Sequence, residues 1–288
     1  MIGIGERKTR RLGLAAAAIA GSLLLGFTPT SAEPLKVAAD VGYAPWAMRG
    51  PDGQVTGFVI DVANDIARRM GRDKAEIIDV NFSAIFAGLF AGRYDAIMAP
   101  MEITDVRAKQ LLFTEGYMSS GLALVTSSDD KEIKSPGDLK GKVLATNSGS
   151  QSDTWATENQ AKYGYTVQRY DKDTDAMQAV VAGRAAANIV NVNVAQYAAL
   201  KNKKIAVAAR LYTDRDIGYA VRKGDEKLRA EIEGALECMK LDGTIEGIYK
   251  KWFGEEPEPA NSMMKVFAGY GPVGYEGYEP TYHVPACK

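Results

Sequence analysis

From residue 35 onward the chain alternates between two kinds of hydrophobic pattern. Leu35-Lys36-Val37-Ala38-Ala39 is a short apolar run that predicts a strand, and Gly42, Pro45, Pro51, Asp52 and Gly53 after it are loop and turn chemistry. From Gly57-Phe58-Val59-Ile60-Asp61 onward, Val62, Ile66, Ala67 and Met70 recur at helical spacing until Gly71 closes the helix. Ile77-Ile78-Asp79-Val80 reads as the next strand, Ile85, Leu89 and Phe90 as a short helix ending near Gly92, and Ala96-Ile97-Met98 as a strand again. Leu122-Ala123-Leu124-Val125 predicts a strand that crosses between domains. A second alternation then begins at Lys142-Val143-Leu144-Ala145, with a helix after Gly149-Ser150-Gln151-Ser152, a strand at Tyr165-Thr166-Val167, a helix over 174–182 and a strand at Asn188-Ile189-Val190. Gly218-Tyr219-Ala220-Val221 reads as a strand returning to the first half. Leu228, Ile232, Leu236, Met239 and Leu241 form a last helical stripe broken by Gly243. Alternation of this kind predicts sheets covered by helices, in two similar α/β units with the second inserted into the first.

One segment carries candidate chemistry. The apolar run ending in Met98-Ala99-Pro100 reads as a buried strand emerging into a loop, and Thr104 then stands where a helix N-cap belongs, with Asp105 in the first turn. Arg107 falls in that same turn, beside unpaired backbone N–H groups. A planar fork of donors in that setting suits a bidentate carboxylate. The plainer reading is a capped surface helix carrying an ordinary salt-bridging arginine.

The ends and the overall charge narrow the class. Arg7, Lys8, Arg10 and Arg11 precede an apolar stretch over 12–27, and Thr28-Pro29-Thr30-Ser31-Ala32 supplies small residues. That is the layout of an export signal over 1–32, with the mature chain starting near Glu33 outside the cytoplasm, in the periplasm. The formal net charge of −1 indicates neither a nucleic-acid footprint nor a polybasic membrane surface. An oxidising compartment would allow the two cysteines, Cys238 and Cys287, to form one disulfide pinning the C-terminal tail to the last helix, the alternative being two free thiols. Glycines, prolines and tyrosines crowd 255–288 and disfavour regular structure there.

With these segments in place, the chain resembles a family 3 extracellular solute-binding protein, the periplasmic component of polar amino-acid ABC transporters. Gly57-Phe58-Val59-Ile60-Asp61-Val62, Gly92-Arg93-Tyr94-Asp95-Ala96-Ile97, Ile103-Thr104-Asp105-Val106-Arg107, Asp138-Leu139-Lys140-Gly141-Lys142-Val143, Asp242-Gly243-Thr244-Ile245 and Tyr249-Lys250-Lys251-Trp252-Phe253-Gly254 match its landmarks in order. The resemblance implies the type II two-lobe periplasmic binding protein fold, with lobe 1 at 33–122 and 218–254, lobe 2 at 123–217, and two hinge strands. Ligand contacting both lobes would favour the closed form, which the membrane permease would recognise. A monomer without cofactor is implied.

By the same resemblance, Arg107 holds a ligand carboxylate. Ser150, Gln151 and the amides beside them offer further donors. Tyr43 and Trp46 cover the ligand, Asp40 stands near the side-chain pocket, Phe82 forms wall or core, and Met101 contributes backbone. Two positions depart from the family pattern. Glu102 replaces a usual Ser or Thr, and Asn191 replaces the usual Asp that neutralises an α-ammonium. Either the ligand's cation lies toward Glu102, as in an amino-acid derivative, an opine-like compound or a zwitterionic osmolyte, or Glu102 pairs with Arg107 or another cation and Asn191 still binds an amine through its carbonyl. The competing class is a dehydratase-like enzyme on the same fold, for which Glu102 is the available acid–base group.

Overall fold

The computed structural model describes residues 1–3, 33–254 and 256–287, and of 212–214 only the backbone; the expected export segment, its first three residues apart, lies outside them. The strands are β1 (Leu35–Ala39), β2 (Met48–Arg49), β3 (Val55–Thr56), β4 (Ala75–Asp79), β5 (Ala96–Glu102), β6 (Leu111–Phe113), β7 (Met118–Ser127), β8 (Val143–Asn147), β9 (Thr166–Tyr170), β10 (Ala187–Asn191) and β11 (Ile205–Arg222). The helices are α1 (Phe58–Arg69), α2 (Ile85–Phe90), α3 (Asp105–Ala108), α4 (Gln151–Tyr163), α5 (Asp173–Val181), α6 (Val192–Lys201), α7 (Glu226–Leu241) and α8 (Thr244–Phe253).

One mixed sheet runs β4-β1-β5-β11-β7-β10-β8-β9, with β6 also on β11. It is built twice over. β4, β1 and β5 run parallel and end on antiparallel β11, while β9, β8 and β10 run parallel and end on antiparallel β7. β7 and β11 pair with each other from Ile205↔Ser127 to Ile217↔Met118, so this pair joins the two lobes. β10 is buried along its whole length and β5 nearly so, as strands covered by helices on both faces must be. α1 lays Val62, Ala63, Ile66 and Ala67 against the main core with Val37, Ala39 and Trp46. Phe82, Ile85, Leu89, Tyr94, Ile97 and Phe113 fill the other face of the first lobe. Leu124, Leu139, Leu144, Ala156, Tyr165 and Ile189 do the same in the second. Asp61 on α1 accepts from Trp252 Nε1 and Lys251 Nζ on α8, both at 2.7 Å, which ties the first and last of the quoted motifs together.

The structure corrects several expected boundaries. β5 does not stop at Pro100 but continues through Met101 and Glu102, which pair with Gly218 and Ile217. Pro100 is tolerated because the β5–β11 register shifts between Gly218 and Ala220, where its missing N–H breaks no regular ladder. The strand expected at 218–221 is the end of an 18-residue strand that begins at Ile205, and the charged stretch at its middle is carried by pairing with β7. α6 and α8 had not been assigned as helices. Asn191 caps α6, its Oδ1 accepting from Asn193 N at 2.9 Å.

The tail is ordered by side chains more than by secondary structure. Cys238 on α7 is bonded to Cys287. Glu233 accepts from the Gly271 amide at 2.7 Å, Glu115 from the Phe267 amide at 2.7 Å, and His283, stacked on Tyr270, lies 2.9 Å from Glu237. Arg229, fully buried, reaches the Gly277 carbonyl at 3.1 Å and the Glu279 carboxylate. No helix among the described residues is long and apolar enough to cross a membrane.

Candidate ligand-binding cleft

A narrow cavity of about 40 Å³ lies where the sheet passes from one lobe to the other. Its first-lobe wall holds Asp40, Tyr43, Phe82, Ala99, Pro100, Glu102 and Arg107. Its second-lobe wall holds Asn147, Ser150, Gln151, Ser152 and Asn191, and Ser120, Leu122 and Ile217 of the two joining strands close the back.

Arg107 is set in place by its neighbours rather than by a helix. Thr104 does cap α3, accepting from the Arg107 amide at 3.3 Å, but α3 is a single turn of four residues. A single turn adds little dipole, so the expected help from a helix N-terminus is absent at Arg107. What fixes the guanidinium is a bond from Nη1 to the Glu102 carbonyl at 2.9 Å and the rings of Phe82 and Phe86, whose centroids lie 5.7 and 5.8 Å from it. Burial pushes its pKa down to about 10, against the pull of Glu102 and with a push from Arg215. A guanidinium this poorly solvated gains strongly from an incoming carboxylate.

The facing donor set comes from α4. Gly149 adopts φ +73°, which turns the chain so that Ser150 caps the helix, its Oγ accepting from Asp153 N at 3.1 Å. The first-turn amides of Gln151 and Ser152 therefore sit at the positive end of a 13-residue helix, on the cavity wall. Asn147 beside them is held by Nδ2 bonds to the Asp171 and Tyr170 carbonyls at 2.9 and 3.4 Å.

Glu102 is not turned toward a ligand alone. Its Oε2 accepts from Arg215 Nη1 at 3.1 Å, and its side chain is 2% exposed. Of the two readings left open for this position, pairing with a cation of the chain is the one the geometry contains. Bonding to Glu102 raises the Arg215 pKa, so Arg215 stays charged. Asp40 accepts from the Phe82 amide at 3.1 Å and from Lys172 Nζ at 2.6 Å; burial nevertheless raises its pKa above the ordinary carboxylate value. Asn191 spends its side-chain oxygen on the α6 cap, while its backbone N–H donates to the Tyr43 hydroxyl at 3.4 Å across the cleft. With Lys172 also 3.1 Å from Asp79, the lobes stand closed on the cavity.

One side chain assigned to the site from sequence lies elsewhere. Trp46 is fully buried, edge-on to Phe58 and Phe253 at 5.3 and 5.4 Å, so it anchors the loop that carries Tyr43 instead of covering a ligand. The Met101 side chain is buried among Phe82, Ile103 and Phe113, which leaves only its backbone, expected to contribute, between the wall residues Pro100 and Glu102. Sequence reasoning missed Asn147 and Ser152, although both flank the Gly149 turn, and it missed Ser120, Lys172 and Arg215, which carry no local signal. Glu115, Glu233 and Glu237 bring carboxylate oxygens within 4.8 Å of one another. They already hold Lys240, the Gly271 and Phe267 amides and His283, so they anchor the tail and do not belong to the cavity.

Residues 35–255 match the model of the bacterial extracellular solute-binding proteins, family 3. The chain belongs to that family. Its fold is the type II two-lobe periplasmic binding protein fold, with the second lobe inserted into the first through two hinge strands. Among curated relatives, the L-cystine-binding protein TcyJ of Escherichia coli (strain K12) is 31% identical over 224 residues, covering 77% of this chain and 83% of that protein. Among solved structures, an ancestral arginine-binding protein, solved with arginine and with glutamine, is 34% identical at a TM-score of 0.73, covering 77% of this chain and 98% of that one. The ancestral amino acid-binding protein AncCDT-1, described as a precursor of cyclohexadienyl dehydratase, is 32% identical at a TM-score of 0.70, covering 76% and 95%.

Proposed function

We propose that this family 3 protein is the extracytoplasmic solute-capturing component of an ABC importer, working as a monomer in the periplasm. It takes a small carboxylate-bearing amino acid or amino-acid derivative between lobes bounded at 33–122 with 218–254 and at 123–217. The observation that carries this reading is the convergence of two donor sets on one cavity. The half-buried Arg107 guanidinium faces it from one lobe and the first-turn amides of α4 with Ser150 face it from the other. A carboxylate bridging them contacts both lobes at once, which is what makes closure depend on ligand. Asp40, Tyr43, Phe82, Glu102, Gln151 and Asn191 then shape the remainder of the site. The relatives' names point the same way, since they bind cystine, arginine or glutamine.

The dehydratase-like alternative needs an acid or base poised over the cavity. The carboxylates that line it are engaged with the Arg215 and Lys172 cations, which suits binding without turnover. The test is a thermal-shift screen of ligand-stripped protein against amino acids, opines, betaines and ectoine-like zwitterions. A ligand at a hundred times its Kd stabilises the closed form by about 2.7 kcal/mol. A shift with a carboxylate-bearing compound, which is recovered unchanged afterwards, supports the proposal. Consumption of that compound would replace it with the enzyme reading.

A further inference from the structure

The Asp40 end of the cavity is already occupied by a cation of the chain itself. Asp40 stands just after β1, and Asp79 at the end of β4, both in the first lobe. Lys172 comes from the second lobe, at the residue that precedes α5. Its Nζ lies 2.6 Å from Asp40 Oδ1 and 3.1 Å from Asp79 Oδ1, with the lysine side chain 23% and the Asp40 side chain 7% exposed. The other Asp40 oxygen accepts from the Phe82 amide at 3.1 Å. Both oxygens of a carboxylate that lines the cavity are therefore spoken for before any ligand arrives.

The lysine is held where it is. A Cβ placed on Gly42 would lie 3.8 Å from the Lys172 stem and 3.7 Å from Thr174, so the loop after Asp40 packs against that stem. Burial works against the ammonium, but its bonds to Asp40 and Asp79 more than offset this and keep its pKa above the ordinary lysine value. It is charged throughout the physiological range.

A ligand entering with a positively charged side chain would have to share Asp40 with this fixed ammonium, at a distance where like charges repel strongly in a closed, partly dry site. At the opposite side Glu102 is bonded to Arg215 in the same manner. We infer that Lys172 is a specificity-determining residue, an internal cation seated on Asp40 that excludes ligands with cationic side chains and reserves the cavity for neutral or anionic ones. The inference rests on the reading of the cavity as an amino-acid site. Lys172 acts on the cavity from outside its wall, through Asp40.

Lys172 also bridges the lobes, so a purely structural role has to be separated from selectivity. A strut that only helps closure would change affinity for every ligand by the same factor; a selectivity residue changes the ratio between ligands. The experiment is calorimetric titration of the full mature chain, stripped of ligand, with arginine and with glutamine, for the unmodified protein and for Lys172→Met, Lys172→Gln and Lys172→Arg. Lys172→Met is expected to bind arginine at least tenfold tighter than the unmodified protein, while glutamine affinity stays or falls. Lys172→Gln, similar in length and still hydrogen-bonding, shows the same shift should the methionine variant fold poorly. Lys172→Arg, which keeps the cation, leaves arginine weak. A gain in arginine affinity in the neutral variants sustains the role of Lys172 even where glutamine binds none of the proteins. Failure of every amino acid to bind the unmodified protein would instead sink the amino-acid reading itself. An arginine-to-glutamine ratio that stays within threefold in both neutral variants, or arginine binding none of the proteins, would overturn the inference.

Discussion

Replacing Arg107 by methionine removes the guanidinium that the account places against the ligand carboxylate while keeping much of the stem's volume. This group has the Glu102 carbonyl at 2.9 Å and the Phe82 and Phe86 rings beside it, and burial drags its pKa down to about 10. The charge is therefore poorly compensated until a carboxylate arrives. A bidentate pair supplies two charge-assisted hydrogen bonds worth about 1.5–3 kcal/mol each, and part of that gain is offset by desolvating the ligand, which leaves a net loss on removal of about 3–4 kcal/mol. That corresponds to a Kd roughly 150- to 1,000-fold weaker. Arg107→Lys keeps the charge but not the fork, and a loss of about tenfold is expected. The assay is calorimetry with whichever compound shifts the melt, accompanied by the Tm of the unliganded variants. Because the guanidinium is costly to bury, the unliganded Tm of Arg107→Met stays the same or rises. An affinity within threefold of the unmodified protein, at unchanged Tm, would refute the carboxylate clamp.

Three further outcomes follow from the same structure. Gly149 sits at φ +73° with Ser83 Cα of the opposite lobe 3.3 Å from where a Cβ would be, so Gly149→Ala strains the turn by about 1–2 kcal/mol and obstructs closure; calorimetry should give about tenfold weaker binding. Burial raises the Glu233 pKa to about 8 and that of Asp173 to about 7, so the folded state holds protons that the unfolded state has lost near pH 4. The stability these groups contribute is full below that pH and disappears as pH rises through 7–8; Tm should fall from pH 5 to 8.5, and Glu233→Gln should flatten the fall. Cys238–Cys287 closes a loop of 49 residues, for which the chain-entropy model gives about 4 kcal/mol, so Cys238→Ser with Cys287→Ser should lower Tm by several degrees and expose the tail to proteases. The tail does not line the cavity, so ligand Kd should move less than twofold; a large change in Kd would mean that the tail reaches the site.

The alternating α/β order was legible because buried strands and amphipathic helices repeat periods that neighbouring residues reveal, as in Val62, Ile66 and Ala67 on α1. Ser150, Gln151 and Arg107 were legible because a turn glycine or a capping threonine marks them locally. The long β11 was not, since Arg210, Arg215 and Asp216 interrupt its apolar pattern and its pairing with β7 carries the strand through them. Trp46 was misread because an aromatic in a loop has two directions to point, and the choice depends on Phe58 and Phe253, one of them far along the chain. The partners of Asp40 and Glu102 lie 132 and 113 residues away, so the charge balance of the cavity exists only once the lobes are folded and closed.

The central claim is that this cavity captures a carboxylate without chemistry. The most direct measurement is calorimetric titration of ligand-stripped protein with the best-stabilising amino acid, alongside the same compound with its carboxylate converted to a primary amide, with both recovered and analysed afterwards. One equivalent of the acid bound per chain, at least a hundredfold weaker binding of the amide, and full recovery of unchanged ligand is the predicted result. Equal binding of acid and amide, or loss of the ligand during incubation, would contradict it.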